Sequence, residues 1–164
     1  MTDNDSLPRP PFPLNHPATW IATWGGAGFL RPGPGTWGTV FATPVALAII
    51  TTGGTLALAI ATLFIILAGV WSTTVLQHRL GIADDGRIVI DEVAGISIAL
   101  LMIPLTPWTI IAAIVLFRML DILKPGPIGW LDRNIKGAWG VIADDLLAGF
   151  VTGLMIAGFM YVVL

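Results

Sequence analysis

The stretch VAGISIALLMIPLTPWTIIAAIVLF, Val93 to Phe117, decides how the chain folds. It is long enough for one membrane crossing, since about 20 apolar residues cover the hydrocarbon core. Its middle argues otherwise. Pro104 and Pro107 flank Leu105 and Thr106. Each proline removes a helix hydrogen bond and clashes with the preceding turn. Two of them around a Leu-Thr pair predict a hairpin rather than a kink. The stretch therefore divides into Asp91–Ile103 and Trp108–Ile122.

Working outward, three more apolar stretches appear. Val40–Thr51 contains Pro44, and Thr55–Gln77 is the clearest span. TTGG, Thr51 to Gly54, predicts a tight connection between them. Asp144–Leu164 ends the chain. The expected fold is all-α: a multi-pass helical membrane protein of about five short or full spans, with polar loops gathered on one face. Composition agrees. Of 164 residues, 55% are hydrophobic and only 11% charged, against about 25% charged in soluble domains. Mean hydropathy is +0.86. A net charge of -2 without a basic run gives no support to a nucleic-acid partner. The absence of cysteine excludes disulfides, thiolate metal sites and a cysteine nucleophile. The opening MTDNDSLPRPPFPLNHP is polar and proline-rich, without the basic and apolar regions of a signal peptide. Residues 1–17 are expected to form a flexible tail before one helical domain, 18–164.

Charge placement supports five crossings. The bases are Arg9, Arg31, Arg79, Arg87, Arg118, Lys124, Arg133 and Lys136. With five crossings, all of them share the side that holds the N-terminus. Basic residues favour the cytoplasmic side. With four, the loops after Arg79 and Arg118 would face opposite compartments. The difficulty is length. The 13 residues of Asp91–Ile103 reach about 20 Å at 1.5 Å per residue, short of a hydrocarbon core of ~30 Å. Some segments are expected to be tilted, re-entrant or half-buried.

Five crossings bring four polar stretches together: Gly25–Thr39, Asp84–Gly95, Phe117–Gly137 and Gly140–Gly149. Asp91 and Glu92 are expected to open the third span, and Asp144 and Asp145 the fifth. An acid at a helix N-terminus can simply cap it, but one suffices and each site has two. Asp121 can simply pair with Arg118, three residues away. Five converging acids would repel one another unless protonated or bound to cations. Oxygen ligands without cysteine suit Mg2+. The glycine-rich RPGPGTWGT, Arg31 to Thr39, lets backbone N–H groups approach an anion, and Arg31 and Thr36 add donors. A tight interfacial loop anchored by Trp37 is the plainer reading. Arg118, Asp121 and Lys124 recur on one helical face before Pro125. They suit an anchor to anionic headgroups or cations meeting a phosphate ester. Neither His16 nor His78 is assigned a role.

These residues resemble the phosphatidylglycerophosphatase A family. The resemblance rests on GPGTWGT, IVIDEVAG, FRMLDILKPGPI and GVIADDLLAG, in that order, and covers about Gly25 to the C-terminus. Leu120 and Ala143 depart from the family's usual Phe and Met, both apolar exchanges. The resemblance implies an all-helical, Mg2+-dependent lipid phosphatase of the bacterial inner (cytoplasmic) membrane, its active site facing the cytoplasm. The reaction implied converts phosphatidylglycerophosphate to phosphatidylglycerol and inorganic phosphate. The site residues carried over are Thr36, Asp91, Glu92, Arg118, Asp121, Lys124, Asp144 and Asp145. Asp91, Glu92, Asp144 and Asp145 are expected as metal ligands or general base, with Asp121 as ligand or orienter of Arg118. Arg118, Lys124, Arg31 and Thr36 are expected to bind substrate. Metal-activated water is the favoured nucleophile, with attack by an aspartate as the other route. A small divalent-cation transporter or a lipid-binding protein would use the same acids differently.

Overall fold

Prolines begin four of the helices, and glycines end and bend the longest. The computed structural model describes residues 11–163, and among these there are helices and no strand. Pro17 starts α1 (Pro17–Ala22), Pro34 starts α2 (Pro34–Leu80), Pro107 starts α4 (Pro107–Leu123), and Pro127 starts α5 (Pro127–Asn134). Proline suits a first turn, where its missing N–H would have had no partner. The other helices are α3 (Ile90–Leu101) and α6 (Gly137–Val163). A short 3-10 turn, Ala27–Phe29, lies between α1 and α2.

The long α2 is two arms that meet at Gly54, whose φ of 78° and ψ of 179° are not helical. Only glycine takes such angles readily. A straight run from Gly38 to Gly69 would cover about 46 Å at 1.5 Å per residue. Yet a side chain added at Gly38 would meet Val89, and one added at Gly69 would meet Ile90. Consecutive residues of one segment touch both arms, so the chain reverses at Gly54. The TTGG connection is a helical hairpin, as its sequence predicts.

Two helices, Pro34–Leu80 and Gly137–Val162, are long and apolar enough to cross a membrane. α3 has only 12 residues, about 18 Å of helix. It stands at the centre, packed on α2, α4 and α6, and all its residues except Ile98 and Leu101 are buried. Short as it is, the helix is enclosed by its neighbours. The expected break at Pro104 and Pro107 is present. Thr106 caps α4, and its hydroxyl and that of Thr109 each accept a backbone N–H of the other residue. Inside the apolar helices, Thr39, Thr43, Thr62 and Ser97 donate their hydroxyls to carbonyls four residues back. Polar atoms are thereby satisfied where no water reaches.

Glycines bring three helices together beside the acids. A Cβ on Gly95 of α3 would strike the Phe117 ring of α4 and the Asp145 carbonyl of α6. A Cβ on Gly149 would strike the Gly95 carbonyl. Small residues permit this close approach.

Three sequence readings change. α6 begins at Gly137, so Asp144 and Asp145 lie two turns inside it and do not open it. Residues 127–134, read as part of a polar stretch, form a helix. His16 has a local role: its Nδ1 accepts the Ala18 N–H and caps α1. Residues 1–10 of the expected tail lie outside the described residues. Phe12 is buried, edge-on to Phe29, with the Arg87 guanidinium 4.1 Å from its ring centroid.

Candidate active site

Asp91 and Glu92 occupy the second and third positions of α3. The Asp91 carboxylate accepts the Glu92 backbone N–H at 3.0 Å, which turns the side chain back over the helix start. Glu92 Oε1 lies 3.3 Å from Arg118 Nη1, and the same nitrogen donates to Asp121 Oδ2 at 2.5 Å. Arg118 thus ties the end of α4 to the start of α3. Lys124 follows α4. Its ammonium donates to Asp144 Oδ2 at 2.6 Å and to Asp132 of α5. Burial works to lower the Lys124 pKa, but hydrogen bonds to Asp132 and Asp144 and their charge outweigh it. The ammonium is held above its ordinary value.

Lys124 also has an unusual backbone. Its φ of 45° and ψ of 53° are left-handed, a conformation that costs a residue with a side chain about 1–2 kcal/mol and that glycine usually fills at helix ends. Trp24, with a φ of 49°, is the other non-glycine residue in this region among the described residues.

The acids form two overlapping groups. Oxygens of Asp91, Glu92 and Asp145 lie within 4.8 Å of one another, and so do oxygens of Asp121, Asp144 and Asp145. Asp145 belongs to both. Asp91, Glu92, Asp144 and Asp145 are buried. Glu92 Oε2 and Asp144 Oδ1 are fully enclosed, with no hydrogen-bond partner among the described residues. Among those residues, the cations paired with the five acids are Arg118 and Lys124. Ionised together, the five acids would carry more charge than these two cations balance, a cost that protonation or a bound cation removes. A hard divalent cation fits this donor set: all oxygen, clustered, with two enclosed oxygens lacking a partner. A cavity of about 250 Å³ opens onto the cluster, lined also by Asp84, Asp132, Lys124 and Lys136.

Of the nine residues expected from the sequence, seven come together: Asp91, Glu92, Asp121, Asp144, Asp145, Arg118 and Lys124. The other two do not join them. Arg31 lines a separate surface cavity with Arg87 and Gly28, and Thr36 is exposed on the first turn of α2. Gly35 of that motif does abut Glu92. A Cβ there would collide with Glu92 Oε1 and crowd the Arg118 guanidinium.

The sequence model of phosphatidylglycerophosphatase A matches residues 20–160. The chain belongs to the phosphatidylglycerophosphatase A family. It is 33% identical over 162 residues to phosphatidylglycerophosphatase A of Haemophilus influenzae, covering 98% of each chain. Against phosphatidylglycerophosphatase A of Escherichia coli it is 38% identical over 102 residues, 59% of this chain and 57% of that one. A Bacteroides thetaiotaomicron protein provisionally named phosphatidylinositol-3-phosphatase is 36% identical over 144 residues, 84% of this chain and 89% of that one. No solved structure matches the chain.

Sequence reading of this family member missed Asp132 and Gly35. Asp132 lies eight residues after Lys124, and here the turn at Pro125 and Gly126 followed by α5 brings the two together. Pro127 is the available sign of that helix. Gly35 sits in the glycine-rich motif, and glycine at a helix start is read as a turn until its neighbour across the fold is known.

Proposed function

We propose that this chain hydrolyses the terminal phosphate monoester of phosphatidylglycerophosphate, giving phosphatidylglycerol and inorganic phosphate. The observation that carries the reading is the pair of carboxylate triplets sharing Asp145, beside two cations. Family membership names the substrate. The Bacteroides relative's printed name makes other phosphorylated phospholipid headgroups the alternative substrates.

Asp91, Glu92, Asp144 and Asp145 would hold a divalent cation, for which Mg2+ is our choice. When bound, such an ion neutralises phosphate charge and makes a water molecule more acidic. The chain's own groups do the rest. The Lys124 ammonium, at the cavity wall, meets nonbridging oxygens on which charge develops. Arg118 holds Glu92 and Asp121 in place. A carboxylate of the cluster takes the proton of the attacking water. Water attacks phosphorus, the bond to the glycerol oxygen breaks, and that oxygen leaves with the proton that the carboxyl group gives back. Attack by an aspartate is the alternative route.

We infer a five-crossing arrangement in the bacterial cytoplasmic membrane, with the site on the cytoplasmic face. Support comes from the reversal at Gly54 and the proline link between α3 and α4, both distant from the acids. The basic residues among the described residues all fall at the acidic end in such an arrangement. A lipid substrate fits that position. Its phosphate cannot leave the interface cheaply, since each buried CH₂ holds it by about 0.8 kcal/mol. A cation transporter would need acids along a path through the membrane, whereas these gather at one end.

The test is phosphate release by purified protein in mixed micelles, comparing phosphatidylglycerophosphate with phosphatidylinositol 3-phosphate and phosphatidic acid. The reading expects phosphatidylglycerophosphate to have the highest kcat/KM. A stronger preference for either other lipid would overturn the substrate assignment.

A further inference from the structure

The Lys124 ammonium is shared by two carboxylates of different character. Asp144 is 3% exposed and belongs to the acidic cluster, while Asp132 stands on α5, outside both triplets, with its side chain 42% exposed. Asp144 Oδ2 accepts from Lys124, and its Oδ1 is enclosed without a partner. The ammonium therefore occupies one carboxylate that a divalent cation needs. Two like charges at about 4 Å repel by ~4 kcal/mol in surroundings of intermediate polarity. A cation on Asp144 and an ammonium on the same carboxylate are therefore in competition. Among the described residues, the other carboxylate paired with the ammonium is Asp132. The Lys124 backbone is fixed by Pro125 after it, so the adjustment falls to the flexible side chain.

We propose that Asp132 is a positioning residue, the outer seat to which Lys124 withdraws when a divalent cation takes Asp144. It acts through Lys124 and need not touch the reacting atoms. In that outer position the ammonium lies at the cavity wall, free of the cluster and available to a phosphate oxygen. The inference rests on the reading of the cluster as a cation site. A purely structural Asp132 would only tie α5 to the end of α4.

The two roles differ in their effect on cation affinity. Mg2+ and Mn2+ binding to the purified full-length chain in detergent would be measured by calorimetry for wild type, Lys124→Gln, Asp132→Asn and the double variant. Lys124→Gln removes the competitor and is expected to tighten binding about tenfold, the scale of one charge-assisted hydrogen bond. Asp132→Asn removes the outer seat and is expected to weaken binding by roughly two- to fivefold, the range of a half-exposed pair. In the Lys124→Gln background, Asp132→Asn should change nothing, because its effect passes through Lys124. Opposite signs for the single variants and no effect of Asp132→Asn in that background support the proposal. Weaker binding by Lys124→Gln overturns it, even if Asp132→Asn does not fold. So does an Asp132→Asn that binds like wild type or weakens both backgrounds equally. A wild type that binds neither cation overturns the cation-site reading itself, a result distinct from these.

Discussion

Arg118 Nη1 lies 3.3 Å from Glu92 Oε1, joining residues 26 apart in the chain and two helices that run in opposite directions. The same nitrogen bonds Asp121 at 2.5 Å. The plainer sequence reading, an ion pair within one helix, is therefore present and incomplete. The pair is also the strut that holds the start of α3 against the end of α4. Its guanidinium is mostly buried, and Arg118 Nε has no partner among the described residues. A group held this way orients the acids beside it.

Asp145 is the acid common to both triplets, so it is the most informative to neutralise. Asp145→Asn is nearly isosteric and removes one of several mutually repelling charges. Turnover should fall below detection, while the melting temperature of the cation-free protein should hold or rise. If the acid were structural, the change would destabilise a protein that stays active. Phosphate release and thermal unfolding, measured on the same preparation, separate the two.

Gly35 is the predicted weak point of the glycine-rich motif. Glycine to alanine in a helix normally stabilises by ~1 kcal/mol. Here the added Cβ would displace Glu92 Oε1 and the Arg118 guanidinium. Gly35→Ala should therefore cost at least about tenfold in kcat, since small displacements of catalytic groups are expensive. Thr36→Ala, an exposed neighbour, should cost less than about threefold, as surface changes usually do. A large loss for Thr36→Ala with a normal Gly35→Ala would return the threonine to the site and remove the packing argument.

Much of this site is legible in the sequence, and the remainder is hidden for physical reasons. The acids and cations are visible because charges are rare in so apolar a chain. TTGG and the paired prolines mark the turns because glycine takes non-helical angles at little cost and proline lacks the N–H that a continuing helix uses. The start of α6 is concealed. Gly137 and Gly140 argue against a helix there, yet Gly140 is needed because a Cβ would strike the Ile135 carbonyl. Asp144 and Asp145 consequently look like caps, although they stand inside the helix. Asp132 is hidden because α5 has only eight residues, too few for a clear periodic signal.

Lys124 distinguishes catalysis from lipid attraction. If its ammonium meets phosphoryl oxygens, Lys124→Ala should lower kcat by roughly 10²–10³-fold, as loss of one such donor typically does. If it only attracts anionic lipid, the loss should be about 1 kcal/mol of surface association. That loss would enter apparent KM and shrink with added salt. Kinetics at two ionic strengths decide between them. An unchanged kcat would leave Arg118 as the phosphate-binding cation.

The topology can be tested because the chain has no native cysteine. Single cysteines at Thr52, Gly86, Trp108 and Asn134 sample the four connections. A side chain at Gly86 meets open space, and Trp108 is 80% exposed, so neither change disturbs packing. Impermeant labelling should group 86 with 134, and 52 with 108 on the opposite side. Labelling of 86 and 134 from different sides would contradict the five-crossing arrangement.

The central claim is that the carboxylate cluster works through a bound divalent cation on a lipid phosphate. The most direct measurement is phosphate release from phosphatidylglycerophosphate in mixed micelles. The purified protein would be stripped with chelator and then resupplied with Mg2+ in steps. Activity should vanish with the chelator and return in a saturable manner with Mg2+, and Asp145→Asn should give no return at any concentration. Full turnover by the stripped protein, or recovery of Asp145→Asn alongside wild type, would contradict the account.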